Sequence, residues 1–278
     1  MSRALQINLP DALWNALEAH CARTGESLDH AAATALAEML DVEHHTIYQV
    51  STSGALVEGV FGGCVRVADI LRHGDFGLGT FDGLDGEGLL IDGRCWQARG
   101  DGSVREAPPD ARAPFWVATH FFADQTHVLD DIRDWDDLSR RIDAFRPSDN
   151  IFAAIRLRGE FQTIRYRVAC ESAPGTDLVS ATSRQAEFSF EAIPGVLVGF
   201  WTPSYARTIN VPGYHLHFMS GDYQHAGHVL DLSARRLTLE LHLESNLHLA
   251  LPETPAFLAA DLTHDPGAAL AKAESKHD

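Results

Sequence analysis

The chain has 278 residues, with 39 acids against 22 lysines and arginines, a formal net charge of −17, and a 45% hydrophobic, 22% charged composition. That composition suits a soluble globular fold of one large or two medium domains, and the acidic balance repels nucleic acid and acidic lipid over the chain as a whole. No apolar run approaches the length of a membrane span, and no basic segment followed by an apolar one marks a secretion signal. Four scattered cysteines (Cys21, Cys64, Cys95, Cys170) lack C-x-x-C spacing, which points to reduced thiols and a cytoplasmic protein.

Residues 1–45 read as a separate unit. Leu5, Ile7 and Leu9 alternate with polar or small neighbours, a strand signal. Pro10 opens a helix with Leu13, Leu17 and Cys21 on one face, and Gly25 is placed to end it. Ser27 is a natural N-cap for a second helix carrying Leu28, Ala31, Ala35, Leu36, Met39 and Leu40. One strand and two short helices bury too little alone, so the strand wants a partner. The pattern resembles the ribbon-helix-helix family, in which two chains pair their strands and the outward residues, here Gln6 and Asn8, read DNA. The segment holds two bases (Arg3, Arg23) and seven acids, so it has little with which to neutralise phosphate. A dimerisation module is therefore favoured over DNA binding. The plain alternative is a pair of helices that pack on the main body.

From residue 46 the pattern turns β-rich. Thr46–Val50 starts a strand, Ala55–Phe61 is an apolar run, and Val67–His73 reads as a short helix stopped by Gly74. Segments 88–91, 94–99 and 103–106 read as strands joined by turns at Asp92-Gly93 and Gly100-Asp101-Gly102. A strand at 114–122 and a helix at 136–145 follow, and Pro147–Asn150 is the expected boundary between halves 46–149 and 150–278. Strands are expected at 151–158, 160–170, 187–192 and 196–200, then at 237–243, with a short helix and tail from Thr254. Neither Gly100-Asp-Gly102 nor Gly74-Asp-Phe-Gly77 stands in the context of a cofactor or kinase motif.

The chemistry-bearing stretch is Gly213–His228. His215 and His217 are two apart in a strand, so both imidazoles point to one face. A Gly221-Asp222 turn follows, and His228 returns on the partner strand, with His225 as a competitor for the third position. Three imidazoles on one sheet face are the protein half of a zinc site with positions open for water or substrate. In a chain with 15 histidines, a single His-x-His pair is expected by chance, so the hairpin return carries the reading.

Tyr48–Thr52, His73–Glu87 (HGDFGLGTFDGLDGE), Ile91–Gln97, Ile155–Phe161 (IRLRGEF) and Gly213–Phe218 (GYHLHF), in this order along the chain, together strongly resemble the acetolactate decarboxylase family. The resemblance covers about residues 46–278 and leaves the N-terminal unit outside. It implies an α+β fold of two β-rich parts, a mixed sheet that extends across a dimer and a smaller mixed β-barrel carrying the histidines. It also implies zinc-dependent decarboxylation of 2-acetolactate to (R)-acetoin. His215, His217 and His228 match the zinc ligands, Glu87 an active-site carboxylate, Thr80 a site threonine and Glu274 a C-terminal glutamate that folds back to the metal. Arg167 matches a site arginine, in a stretch where the local match is weaker and Arg165 lies on the same strand face.

The implied chemistry is self-consistent. When the carboxylate leaves, the electron pair must enter the neighbouring carbonyl, giving an enediolate that a Lewis-acidic zinc stabilises, so no thiamine or pyridoxal is needed. Glu87 or Glu274 then returns the proton, and Arg167 anchors the substrate carboxylate or stabilises the developing oxyanion. The expected partners are this small substrate and a second copy of the chain in a homodimer or higher homo-oligomer, with no membrane. Two other classes stay open: another three-His metalloenzyme, or a ribbon-helix-helix regulator with an acetolactate-sensing domain.

Overall fold

A computed structural model describes residues 5–40, 42–173, 175–183 and 185–274, the side chain of Glu274 excepted. Helices α1 (Asp11–Thr24) and α2 (Leu28–Leu40) precede β1 (Thr46–Val50). Short helices α3 (Ser53–Val57) and α4 (Val67–Ile70) flank β2 (Val65–Arg66). Strands β3 (Phe76–Thr80), β4 (Glu87–Ile91), β5 (Arg94–Ala98), β6 (Val104–Glu106), β7 (Arg112–Ala113), β8 (Phe115–Thr119) and β9 (Gln125–Ile132) lead to α5 (Trp135–Asp143). Two long strands, β10 (Phe152–Val168) and β11 (Ala186–Thr202), bracket α6 (Leu178–Thr182). Then come β12 (Gly213–Ser220), β13 (Ala226–Glu244), β14 (Asn246–Ala250), α7 (Pro255–Ala259) and α8 (Gly267–Glu274).

The fold is α+β, built on a seven-stranded sheet β14-β1-β8-β3-β4-β5-β6 and a five-stranded sheet β10-β11-β12-β13-β9. The first is mixed, because β14 runs parallel to β1 while its other pairs are antiparallel. The second is antiparallel throughout, which corrects the expectation of a mixed arrangement there. The successive strands β10, β11, β12 and β13 each return beside the one before, which makes antiparallel neighbours. An additional β10–β13 pairing links β10, β11, β12 and β13 in a ring of hydrogen-bonded neighbours. The chain crosses between sheets twice: β9, from residues 46–149, joins the second sheet, and β14, from residues 150–278, joins the first.

Alternation along the central strands separates two cores. Phe115 and Val117 of β8 and Leu89 and Ile91 of β4 face the large core shared with the second sheet. Trp116, Ala118 and Leu90, on the opposite pleats, join Tyr48, Val50 and Ile70 in a smaller core on the far side. The β4–β5 hairpin turns at Asp92 and Gly93, both at positive φ (49° and 78°), as a two-residue turn of the twist-compatible kind requires.

Three expectations are corrected. Residues 5–10 form no strand, because within one chain such a strand has no neighbour to satisfy its backbone groups. The two strands expected at 151–158 and 160–170 are the single strand β10, and those at 187–192 and 196–200 are the single strand β11. Gly159 pairs directly with Gly195, and a Cβ on Gly159 would meet the Arg236 carbonyl oxygen at 2.6 Å. These glycines mark close approach of neighbouring backbone, not turns.

The N-terminal helices form as read. Gly25 caps α1 at φ 80° and donates its N–H to the Cys21 carbonyl, and Ser27 Oγ accepts from His30 N at 3.1 Å. Neither helix buries an apolar stripe: α1 contributes no buried side chain, and Ala31 of α2 is the buried exception.

Candidate metal centre and active site

The β12–β13 hairpin brings the three histidines together. His215 and His217 project from one face of β12, and His217 stands opposite His228 on β13. His228 in turn stands opposite Arg167 on β10, so His217, His228 and Arg167 form a row across three adjacent strands. The three rings sit at the corners of a triangle with centroid separations of 5.0, 5.0 and 5.5 Å. Each offers a nitrogen within 4.8 Å of the others. His225 lies in the connecting turn with its ring against Phe190, centroids 4.1 Å apart, and is not in this group.

The donor set fits a divalent metal. His217 donates Nδ1–H to the Gly88 carbonyl at 3.0 Å, which leaves Nε2 as the lone-pair nitrogen. That Nε2 is 3.2 Å from His215 Nε2, and His215 Nδ1 is buried without a hydrogen-bond partner among the described residues. Burial, aided by the nearby Arg167 charge, pushes the His215 pKa down to about 3. Burial likewise holds His217 and His228 well below the usual histidine range. Neutral imidazoles with inward lone pairs are the form in which histidine binds metal.

The other named residues meet these rings at one cleft between the sheets. Glu87, Thr80, Arg167, His215 and His228 line its polar side, and Leu56, Leu84, Phe115, Leu178, Val211 and Leu270 line its apolar side. Glu87 Oε2 is 3.6 Å from His217 Nε2, and its Oε1 accepts from Ala169 N at 3.1 Å. Thr80 pairs with Glu87 across β3 and β4, and its hydroxyl donates to the Gly86 carbonyl at 2.8 Å, fixing the turn that delivers Glu87. Gly86 has φ 92°, and a Cβ there would overlap the Ala98 carbonyl oxygen.

Arg167 is buried, lines the cleft and donates Nη1–H to the Ala273 carbonyl of α8. Arg165 is half-buried and stands opposite Asp231, outside the cleft lining. Alternation along β10 keeps both arginines on one face, and a bulge on β13 at Leu230 separates their partners, Asp231 for Arg165 and His228 for Arg167. The Glu274 side chain lies outside the described residues, and its backbone ends α8, the helix whose Leu270 and Ala273 pack at the site. Sequence reading did not find the Gly88 carbonyl, Thr182 or Leu270, since a backbone acceptor and ordinary core residues carry no chemical signature.

Comparison with known proteins agrees with this geometry. The family model for alpha-acetolactate decarboxylase matches residues 47–264. The alpha-acetolactate decarboxylase of Methylococcus capsulatus is 42% identical over 234 residues, 84% of this chain and 90% of that protein. That of Bacillus subtilis is 39% identical over 217 residues, 78% and 85% of the two chains. A crystal structure of the Bacillus subtilis protein superposes with a TM-score of 0.81 at 36% identity, covering 83% of this chain and all of that one. The chain therefore belongs to the alpha-acetolactate decarboxylase family of carbon–carbon lyases.

Proposed function

We propose that the cleft converts 2-acetolactate to (R)-acetoin with zinc held by His215, His217 and His228. The observation that carries this is the meeting of three inward imidazoles, one carboxylate and one buried guanidinium in a single apolar-walled cleft. Zinc so held would supply a Lewis acid for the carbonyl and hydroxyl oxygens of the substrate. Arg167 binds the substrate carboxylate and orients the bond to be broken. That carbon–carbon bond breaks, carbon dioxide departs, and the electron pair passes into the neighbouring carbonyl. Glu87 returns one proton to the carbon left behind, from the face that β4 presents. Glu274, at the end of α8, is the second candidate donor. Thr80 holds the turn before Glu87, and the leucines and Phe115 exclude water from the reacting carbon.

The test is acetoin formation by purified protein, before and after chelation, with chiral analysis of the product. Zinc-restored production of one enantiomer supports the reading; full activity in metal-free protein overturns it.

The extension is best read as a self-association module of a homodimer or higher homo-oligomer, separate from halves 46–149 and 150–278. Exposed Leu13, Trp14, Leu36 and Met39 on α1 and α2 support this, and the scarcity of bases argues against DNA. The ring of paired strands β10–β13 supports reading this part as the smaller barrel. Among the described residues no helix is long and apolar enough to cross a membrane, and the four free thiols suit a reducing cytoplasm.

A further inference from the structure

Away from the cleft, titratable side chains from several segments converge where α2 meets the body. His30 lies on α2, His44 and His45 on the link from α2 to β1, Asp124 just before β9, and His242 on β13. His30, His44 and His45 each offer a ligand atom within 4.8 Å of the others, and His45, Asp124 and His242 form a second such group. His45 is the shared member, and its orientation is fixed. Its Nδ1–H donates to the Leu243 carbonyl, and its own carbonyl accepts from Ser245 N at 3.1 Å and Asn246 N at 2.9 Å. Its backbone is left-handed, at φ 49°, a conformation that non-glycine residues seldom adopt. Nε2 is thus the lone-pair nitrogen, 3.0 Å from His30 Nδ1 and 3.9 Å from Asp124 Oδ1.

Hydrogen bonds within the chain do not satisfy this cluster. His44 Nε2, both ring nitrogens of His242 and both carboxylate oxygens of Glu244 are buried without a hydrogen-bond partner among the described residues. His242 is 0% and Glu244 1% exposed. The carboxylates of Asp124 and Glu244 stand 3.6 Å from the two nitrogens of His242, beyond hydrogen-bond reach. Orphaned buried polar atoms in such number are rare in native proteins, and the buried Glu244 carboxylate needs compensation that Asp124, exposed and bonded to Leu243 N at 2.7 Å, does not. The neighbouring group of Glu43, His73 and His248 differs: both rings lie within hydrogen-bond distance of the Glu43 carboxylate, at 3.2 and 3.4 Å.

We propose that His30, His44 and His45 hold a second divalent transition-metal ion, with the row Asp124–His242–Glu244 supplying compensating negative charge behind it. Three imidazole donors select zinc, nickel or copper over magnesium or calcium. All three residues precede the segment 47–264 that matches the family, so the site is an addition of this chain's extension. Its role is mechanical: the ion ties α2 to the link before β1 and, through His45, to the end of β13. Neither α1 nor α2 buries enough apolar surface to fix the extension by packing alone.

The experiment is zinc titration of chelator-stripped full-length protein by calorimetry, with bound metal counted after dialysis, and magnesium as the control ion. The variant H30Q/H44Q should bind one zinc fewer per chain than wild type while forming acetoin at the wild-type rate. The variant H215Q/H217Q should retain one zinc, and adding H30Q and H44Q to it should remove that ion. Limited proteolysis should cut the link near residue 42 at least tenfold faster in H30Q/H44Q than in zinc-loaded wild type. Equal zinc content in wild type and H30Q/H44Q overturns the proposal, as does equal zinc content with and without those two substitutions in the H215Q/H217Q protein. Retained acetoin formation by H30Q/H44Q guards against misfolding as the cause of the loss.

Discussion

His217 is locked to the backbone of Gly88 by its Nδ1–H, 3.0 Å from the carbonyl, and Gly88 follows Glu87 in β4. One hydrogen bond between the two sheets therefore sets both the tautomer of an imidazole and its distance from the site carboxylate. The arrangement leaves Nε2 of His217 facing His215 Nε2 and Glu87, so the metal-facing atom is defined before any ion arrives. Stripping the protein with chelator should abolish acetoin formation, and zinc should restore it without refolding. His217→Gln should weaken zinc binding at the cleft by more than the roughly 10–100-fold that loss of a ligand's hydrogen-bond partner costs, which competition with a chelating dye would measure.

Glu87 Oε2 stands 3.6 Å from His217 Nε2, and its Oε1 is held by Ala169 N at 3.1 Å. Replacing it by an amide preserves shape and that backbone contact while removing the exchangeable proton. Glu87→Gln should lower kcat by about 10²–10⁴-fold with KM little changed and the cleft metal retained. Steady-state acetoin assays with metal analysis decide this. Wild-type kcat in E87Q would transfer the proton-donor role to Glu274.

Arg167 is buried under α8, with Ala273 as one of its acceptors. Lysine keeps the charge but loses the planar fork that grips a carboxylate in two places. Arg167→Lys should raise KM roughly 10–100-fold, the equivalent of one charge-assisted hydrogen bond at about 1.5–3 kcal/mol. It should also loosen α8, which hydrogen exchange in residues 267–273 would report.

How far the molecule could be read from its residues differs by region, for physical reasons. His215, His217 and His228 were legible because strand periodicity and a turn place them on one face without help from distant chain. Gly159 misled, because a glycine at a close backbone approach looks the same in sequence as a glycine in a turn. Strand β3, Phe76–Thr80, was missed because two glycines in five residues mask its alternation. The cluster around His45 was invisible, since His30 and His242 meet only after the two sheets have formed and β14 has paired beside β1. The alternation at Leu5–Leu9 misled, because a strand signal with no neighbour in the chain leaves its backbone groups unpaired.

The exposed apolar side chains of the extension lead to a prediction about assembly. Leu13 and Trp14 on α1, and Leu36 and Met39 on α2, remain in solvent, and Met39 is 72% exposed. A charge on such a face costs nothing in the isolated chain but repels an apolar partner. Leu36→Glu with Met39→Glu should shift light-scattering mass toward the smaller species without changing kcat per site.

Helix α5 offers a pH test remote from any metal site. Asp137 receives Arg133 and Arg141, at 3.3 and 3.1 Å, and these hydrogen bonds hold its carboxyl far below the usual carboxylate range. Because the folded value is depressed, the unfolded chain binds the extra proton first, so stability rises with pH through the window between the two values. The contribution is complete above the ordinary carboxylate pKa and disappears as pH falls through the depressed one. Asp137→Asn should therefore lower Tm by several degrees at pH 7, and the gap to wild type should close progressively below pH ~4. Paired thermal melts from pH 7 downward measure it; a gap that stays constant across that range would mean that Asp137 stabilises α5 by packing, not by charge.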